Sequence, residues 1–254
     1  GEVGCIGQES LCDAAGVHFF VGEDNIWEFD GVRPRPIADG TVRQWFFDNS
    51  NPAYRYKSIL SYDRTKNRVW LFYPSRSATT CDSALIYHVA NKTWGKQSIS
   101  VECALTFIEA GFTFNTWDTA GASFDELPEV SFDSQYWSAG SKALGVFDTL
   151  HQLNTLTGTS TSCQFTTHDF GSDASVSRLD RVRVTFQAQP SASLCTGRTR
   201  RLSGGEYTEV STSSQDDGVY DMRQTGRWHS LTFIFEGDVA FSDFDADLIQ
   251  MGRR

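Results

Sequence analysis

No apolar run in the sequence approaches the roughly 18 residues that a helix needs to cross a bilayer, so no membrane span is expected. Methionine is scarce, with two residues, and amphipathic patterns of helical period are nearly absent. Basic residues are outnumbered: 22 Lys and Arg against 32 Asp and Glu give a formal net charge of −10. That balance argues against a general nucleic-acid binder, whose affinity for phosphates comes mainly from Lys and Arg. It suits a surface past which DNA slides without sticking. The six cysteines, Cys5, Cys12, Cys81, Cys103, Cys163 and Cys195, are too scattered for a CxxC metal knuckle. A chain with a large core does not need disulfides, and buried free thiols are expected. Gly1 to Ser10 lacks the basic and apolar regions of a signal peptide, and no initiator Met is present. The expectation is a fragment or processed product of a longer protein. Catalytic signatures are missing too, with no GxSxG, HExxH, GxxxxGKS/T or GxGxxG in context.

What is abundant is aromatic: 19 Phe, 8 Tyr and 7 Trp in 254 residues, enough for one large all-β domain or two smaller ones. The stretch Tyr56 to Gln97 is organised as four successive strands, Tyr56–Tyr62, Arg68–Tyr73, Ser83–Val89 and Thr93–Gln97. Parity places Val69, Leu71 and Tyr73 on one face and Trp70 and Phe72 on the other, so both faces need cover. Leu85, Tyr87 and Val89 likewise oppose Ala84 and Ile86. The fourth strand has Trp94 as its only large apolar residue, which suits a solvent-facing edge. Two inner strands buried on both faces beside a polar outer strand match one blade of a β-propeller. An ordinary four-stranded meander in a sandwich is the alternative.

Upstream, VHFFV and IWEF flank Gly22 to Asn25 as a hairpin, and Arg33-Pro34-Arg35-Pro36 is expected to break the sheet. Val42, Trp45 and Phe46 have helix-like spacing, which predicts a short connecting helix over Thr41 to Asp48. Downstream, Ala104 to Phe114 predicts two strands bent at Gly111, followed by a loop-rich stretch to Gly140. Ala143 to Gly158 aligns loosely with Val17 to Gly31, a weak internal repeat that favours a propeller. Beyond it, Cys163–Phe170, Arg178–Ala188, Tyr207–Ser211, Trp228–Phe235 and Val239–Ile249 alternate cleanly between wet and dry faces, as in a sandwich. The Thr/Ser-rich link Thr157 to Ser162 marks the boundary. The expected fold is therefore all-β: propeller-like antiparallel blades over residues 1–160, then a β-sandwich-like sheet over residues 161–254.

Candidate chemistry is thin. His18, His88, His151, His168 and His229 stand singly in strand patterns, as packed or surface residues. Asp243, Asp245 and Asp247 share one face of an extended strand and could bind calcium. The loop lacks the glycine and distal Glu of an EF-hand, so a solvated face or a subunit contact is the expected role. Asp125 and Asp133 could form a glycosidase acid pair. Trp117, Tyr136 and Trp137 could stack on sugar rings. Arg198, Arg200 and Arg201 cluster, and the sequence ends in Arg253-Arg254, for which a solvated edge or subunit contact is expected rather than a phosphate site. Asn91-Lys92-Thr93 is a formal glycosylation sequon expected to serve as a turn. Arg181 and Arg183 on one strand complement Asp243 and Asp245 on another, which predicts a heterologous contact between neighbouring subunits.

The order HFFVGEDNIWEFDG, PRPI, VRQWFFDNSNPAYRYKSILSYDRTKNRVWLFYPS and CDSALIYHVANKTWGK resembles tail tube or nozzle proteins of short-tailed bacteriophages. TWD, FDELP with DSQYW, TTHDFG and the terminal GRWHSLTFIFEGDVAFSDFDADLIQMGRR resemble the C-terminal half of the same family. The resemblance covers nearly the whole chain as an order of motifs. It implies a structural virion protein with propeller-like and sandwich parts, assembled as a ring below the portal, a hexamer in that family. Adaptor and other tail proteins would be its neighbours, and DNA would pass through the channel. The resemblance implies no catalytic residues and no cofactor. Full-length nozzle proteins are considerably longer. Two other classes stay open, a carbohydrate-binding propeller and, behind it, a glycosidase.

Overall fold

The computed structural model describes residues 3–38, 40–110, 139–158, 162–213 and 218–252. The described residues are all-β apart from one helix and one 3-10 turn, and the chain divides into two compact units, Gly1–Thr157 and Gly158–Arg254. The division falls within the link Thr157 to Ser162.

The described residues of unit 1 form three antiparallel sheets. The first runs β1 (Leu11–Ala14), β2 (Val17–Val21), β3 (Ile26–Phe29) and β4 (Pro34–Pro36) in order. The helix α1 (Thr41–Asn49) follows. The second sheet is the meander β5 (Ile59–Asp63), β6 (Arg68–Tyr73), β7 (Cys81–His88) and β8 (Thr93–Val101). The third consists of β9 (Cys103–Ala110), β10 (Ala139–Phe147) and β11 (Leu153–Thr155). The first strands of successive sheets adjoin, β1 against β5 and β5 against β9. The Leu60 N–H also donates to the Glu9 carbonyl at 2.8 Å. Among the described residues no sheet closes on itself; what the blade pattern produces is an open stack of three sheets.

The second sheet is the centre of that stack because its parity gives it two dry faces. Val69, Leu71, Tyr73, Leu85 and Tyr87 are buried with Phe19, Val21 and Ile26 of the first sheet. Trp70, Phe72 and Ala84 are buried on the opposite face with Leu144 and Val146 of the third. The outer strand β8 is largely exposed, as its composition predicts; Trp94 folds inward onto Tyr87 with ring centroids 4.8 Å apart. The weak repeat has a structural counterpart as well: Val17 to Gly31 holds β2 and β3, and Ala143 to Gly158 holds part of β10 and all of β11. Both are the second and third strands of their sheets.

Two expectations in this unit are corrected. Arg33-Pro34-Arg35-Pro36 does not break the sheet; Pro34–Pro36 forms the edge strand β4, where a missing N–H faces outward at no cost to the ladder. Arg35 lies 2.9 Å from Asp30 and 4.0 Å from Glu28 across it. Tyr56 is not in a strand, since Arg55–Lys57 is a 3-10 turn and β5 begins at Ile59. Tertiary contacts of Arg55 override strand propensity there: its guanidinium bonds Ser50 Oγ at 2.9 Å and the Phe47 carbonyl at 3.2 Å, and stacks 4.6 Å from the Phe47 ring. Arg76 takes the Asp48 carbonyl at 2.8 Å. Two cations thus satisfy the C-terminal carbonyls of α1, where the helix dipole favours positive charge. Its apolar side delivers Phe46, fully buried, onto Tyr73.

Unit 2 encloses one core between two sheets. Its strands are β12 (Ser162–Thr166), β13 (Phe170–Gly171), β14 (Val176–Ala188), β15 (Ala192–Arg200), β16 (Thr208–Ser213), β17 (Val219–Gly226), β18 (Trp228–Glu236) and β19 (Ala240–Gly252). One sheet has the order β12-β18-β15-β16 with β13 also on β18, and the other has the order β17-β14-β19. Leu179, Val182, Val184, Tyr220 and Met222 from the second meet Cys195, Leu231, Phe233 and Phe235 from the first. Three expectations are corrected here. Cys163–Phe170 is two strands rather than one, and β15 and β17 lie where no strand was expected. The inward side chains of β15 are Cys195, Gly197 and Thr199, too small to show as apolar alternation. A Cβ at Gly197 would lie 2.5 Å from Gln224 Oε1, so a larger residue there would have to displace the Gln224 side chain.

Trp70→Ala is expected to cost about 3–5 kcal/mol in urea melts, because Trp70 is 5% exposed and stacks on Phe72 in the face shared with the third sheet. A loss below about 1 kcal/mol would contradict its place in the core.

Candidate functional site

Arg181, Arg183, Asp243, Asp245 and Asp247 converge on one surface, the outer face of the three-stranded sheet in unit 2. On β14, Arg181 and Arg183 point away from the core while Val182 and Val184 point into it. On β19, Asp243, Asp245 and Asp247 point outward and Phe244 and Ala246 inward. The register sets Arg181 opposite Asp247, Arg183 opposite Asp245 and Thr185 opposite Asp243. Arg181 also bonds Asp221 of β17 at 3.1 Å. The complementary charges are therefore cross-strand neighbours within one chain, a favourable arrangement on a sheet face. The three aspartates do not converge as calcium ligands, since they lie two residues apart along an extended strand with an arginine opposite two of them. Among the described residues no group of three His, Cys, Asp or Glu is placed to hold a metal.

A second polar cluster was invisible in the sequence beyond its arginines. Arg200 pairs with Asp169, whose carboxylate also accepts from the Tyr207 hydroxyl at 2.7 and 2.9 Å, and the guanidinium lies 4.9 Å from the Tyr207 ring. The hydrogen bond to the Asp169 carboxylate pushes the Tyr207 phenol above its ordinary pKa. Arg198 pairs with Glu209 on β16 at 2.8 Å. Two members of the arginine cluster are thus structural ties of β15 to its surroundings. Their partners lie 31 and 11 residues away in sequence, so no local pattern marks them.

A serine–histidine pair is buried in the same unit. Ser177 Oγ lies 2.9 Å from His229 Nε2, and Phe170 stacks on the ring at 5.9 Å. A nucleophile would need access to substrate and a group orienting the other nitrogen. His229 is fully buried, and its Nδ1 has no hydrogen-bond partner among the described residues. Burial holds this imidazole below its ordinary pKa. The pair is a polar element of the core. The other histidines are peripheral, His151 on Glu102 at 2.6 Å and His18 beside Asp13 at 3.9 Å.

All six cysteines are free thiols. Cys81 and Cys195 are buried and Cys12 half-buried, and burial pushes all three up to about 12. Cys5, Cys103 and Cys163 are exposed, which corrects the expectation of uniformly buried thiols. Among the described residues, clefts on unit 1 include two of similar volume. One of about 470 Å³ is lined by Glu23, Asp24, Arg43, Gln44, Phe47 and Asp48, with the Arg43 Nε spent on the Asp24 carbonyl at 2.6 Å. The other, about 460 Å³, is apolar and lies against the outward face of the first sheet, between Cys5, Leu11, Phe20, Phe29 and Pro34. Trp117, Asp125, Asp133, Tyr136 and Trp137 lie outside the described residues, as do Arg253 and Arg254.

No protein-family model matches the chain, and no curated protein matches it. No helix of the described residues is long and apolar enough to cross a membrane.

The thiols and the buried imidazole each set an expected outcome. In the folded protein, Cys5, Cys103 and Cys163 should be modified by a thiol reagent, and Cys12, Cys81 and Cys195 should react fast only in denaturant. Six fast-reacting thiols without denaturant would contradict the placement. His229 has a folded pKa below the unfolded value of 6.5, so the unfolded chain takes up the proton first. The stability tied to the neutral ring is full above the unfolded pKa and is lost as pH falls from it toward the folded one. The urea midpoint should drop between roughly pH 7.5 and roughly pH 5.5, and the drop should shrink in His229→Gln. A variant that keeps the whole drop would show that another group controls it.

Proposed function

We propose that the protein is a structural component of a bacteriophage tail, a tail tube or nozzle subunit that assembles into a ring below the portal and lets DNA pass through its channel. The observation that carries this reading is the order of motifs along the chain, above all the closing GRWHSLTFIFEGDVAFSDFDADLIQMGRR. That stretch builds β18, at the heart of one sheet, and β19, at the edge of the other. The stack of sheets in unit 1 and the two-sheet core of unit 2 are compatible with the propeller-like and sandwich parts such a subunit would have. The net charge of −10 suits a channel wall that must not hold DNA, since a phosphate backbone is repelled by carboxylates. In this reading the protein is not an enzyme, it resides in the virion, and its partners are copies of itself and the adjacent tail proteins.

Negative-stain imaging of the purified chain tests the reading, with rings around a central opening as the expected result. A protein that stays monomeric at every concentration in sedimentation and also fails to form rings beside its neighbouring tail proteins would overturn it. So would saturable binding of a bacterial polysaccharide lost in Trp137→Ala, which is the behaviour of a carbohydrate-binding propeller.

A further inference from the structure

We propose that the free edge of β19, over residues 243–247, accepts an added β-strand from a partner segment in which basic and apolar residues alternate. Such a contact is separate from ring assembly and rests on the strand alone.

Among the described residues β19 pairs on one side only, with β14. An edge strand presents alternate N–H and C=O groups that nothing in the sheet satisfies, and pairing with another chain satisfies them. The register of β14 on β19 shifts at four places, two on either side of the run Arg181 to Thr185. Such irregularities bend a strand and spoil an edge. Between them lies a regular segment, Asp243 to Asp247. Within it the Phe244 N–H is held by the Asp243 side chain at 2.8 Å. A carboxylate, rather than a ladder carbonyl, covers that donor, so it faces the open side. An arriving carbonyl can replace the carboxylate and release it for a basic side chain.

The chemistry of the occupant is set by both faces of the segment. Asp243, Asp245 and Asp247 share the outer face, and Phe244 and Ala246 are turned toward the core side. Phe241, Leu248, Ile249 and Met251 flank the segment and are exposed. A second copy of β19 is a poor occupant in the antiparallel pairing centred on Asp245, because Asp245 would face Asp245 and Asp243 would face Asp247. Like charges directly opposite each other destabilise a strand pair. The chain itself shows the pattern that fits. On the other edge, β14 sets Arg181 and Arg183 against Asp247 and Asp245, and Val182 and Val184 toward the core. A partner strand with Lys or Arg at alternate positions and apolar residues between them would meet β19 in the same way.

The test uses a fluorescein-labelled peptide with the sequence RVRVTF, that of residues 181–186, added to the whole chain at low salt and followed by anisotropy. Saturable binding is expected, weakened about tenfold or more in Asp245→Asn/Asp247→Asn, whose fold is checked by circular dichroism. A peptide N-methylated at alternate residues keeps its charge but cannot extend the ladder, and it should not bind. Equal binding of the methylated peptide would overturn the proposal by showing a charge effect without strand addition. Absence of saturable binding by RVRVTF would overturn it as well, as would stronger binding of a peptide with the sequence FSDFDAD, the pairing of β19 with a second β19. Each readout is independent of whether the chain forms rings.

Discussion

Unit 1 depends on the burial of both faces of a single strand. Val69, Trp70, Leu71, Phe72 and Tyr73 are all nearly inaccessible, and they alternate between two cores. Fully burying a large apolar side chain contributes about 1.5–3 kcal/mol, so this strand alone supplies gross stabilisation on the order of 10 kcal/mol. A strand buried on one face could stabilise a pair of layers. One buried on both faces requires three, and the first and third sheets take their positions from that requirement. The helix α1 belongs to the same scheme, since Phe46 reaches the Tyr73 ring and the Arg55 and Arg76 guanidiniums fasten the helix end to the segments beyond it.

The second unit is held by a different kind of interior. Its centre is aromatic, with Phe233 and Phe235 stacked at 5.9 Å and Tyr220 edge-on to Phe233. Toward one end the core turns polar, where Ser177 meets His229 and the Gln224 amide donates to the Gly197 carbonyl at 2.8 Å. Such groups tolerate burial when hydrogen-bonded and fix which strand faces which, because a shift of register would orphan them. Gly197 shows the constraint from the steric side: with Gln224 and Met222 this close, a side chain there would have to displace theirs.

Legibility in the sequence followed side-chain size in most strands, β17 being the exception, missed with Tyr220 and Met222 turned inward. Strands whose inward residues are large were plain: β2, β3, β6 and β18 match their apolar runs nearly to the residue, and the parity of Trp70 and Phe72 against Leu71 and Tyr73 names the two cores correctly. Strands whose inward residues are small or polar were not, as with Cys195, Gly197 and Thr199 in β15. Propensity misled where a distant partner decided the backbone, as Arg55 does before β5 and as β3 does in recruiting two prolines to its edge. Charge pattern marked which residues of β14 and β19 share the outer face but not that the two strands are neighbours, since alternation reveals which face a side chain occupies and not which strand lies next to it. The tie of Asp169 to Arg200 and Tyr207 had no local signal at all.

The sheets of unit 1 are each local in sequence, but their cores are not. Phe19, Val21 and Ile26 lie on β2 and beside it on β3, yet the surfaces that cover them belong to β6 and β7, completed only at His88. During synthesis at about 5–20 residues per second, the first sheet therefore waits roughly 3–12 s after β3 with the face that carries Phe19, Val21 and Ile26 uncovered. The order in which this chain emerges thus exposes an apolar face before its cover exists, a stage at which aggregation competes with folding.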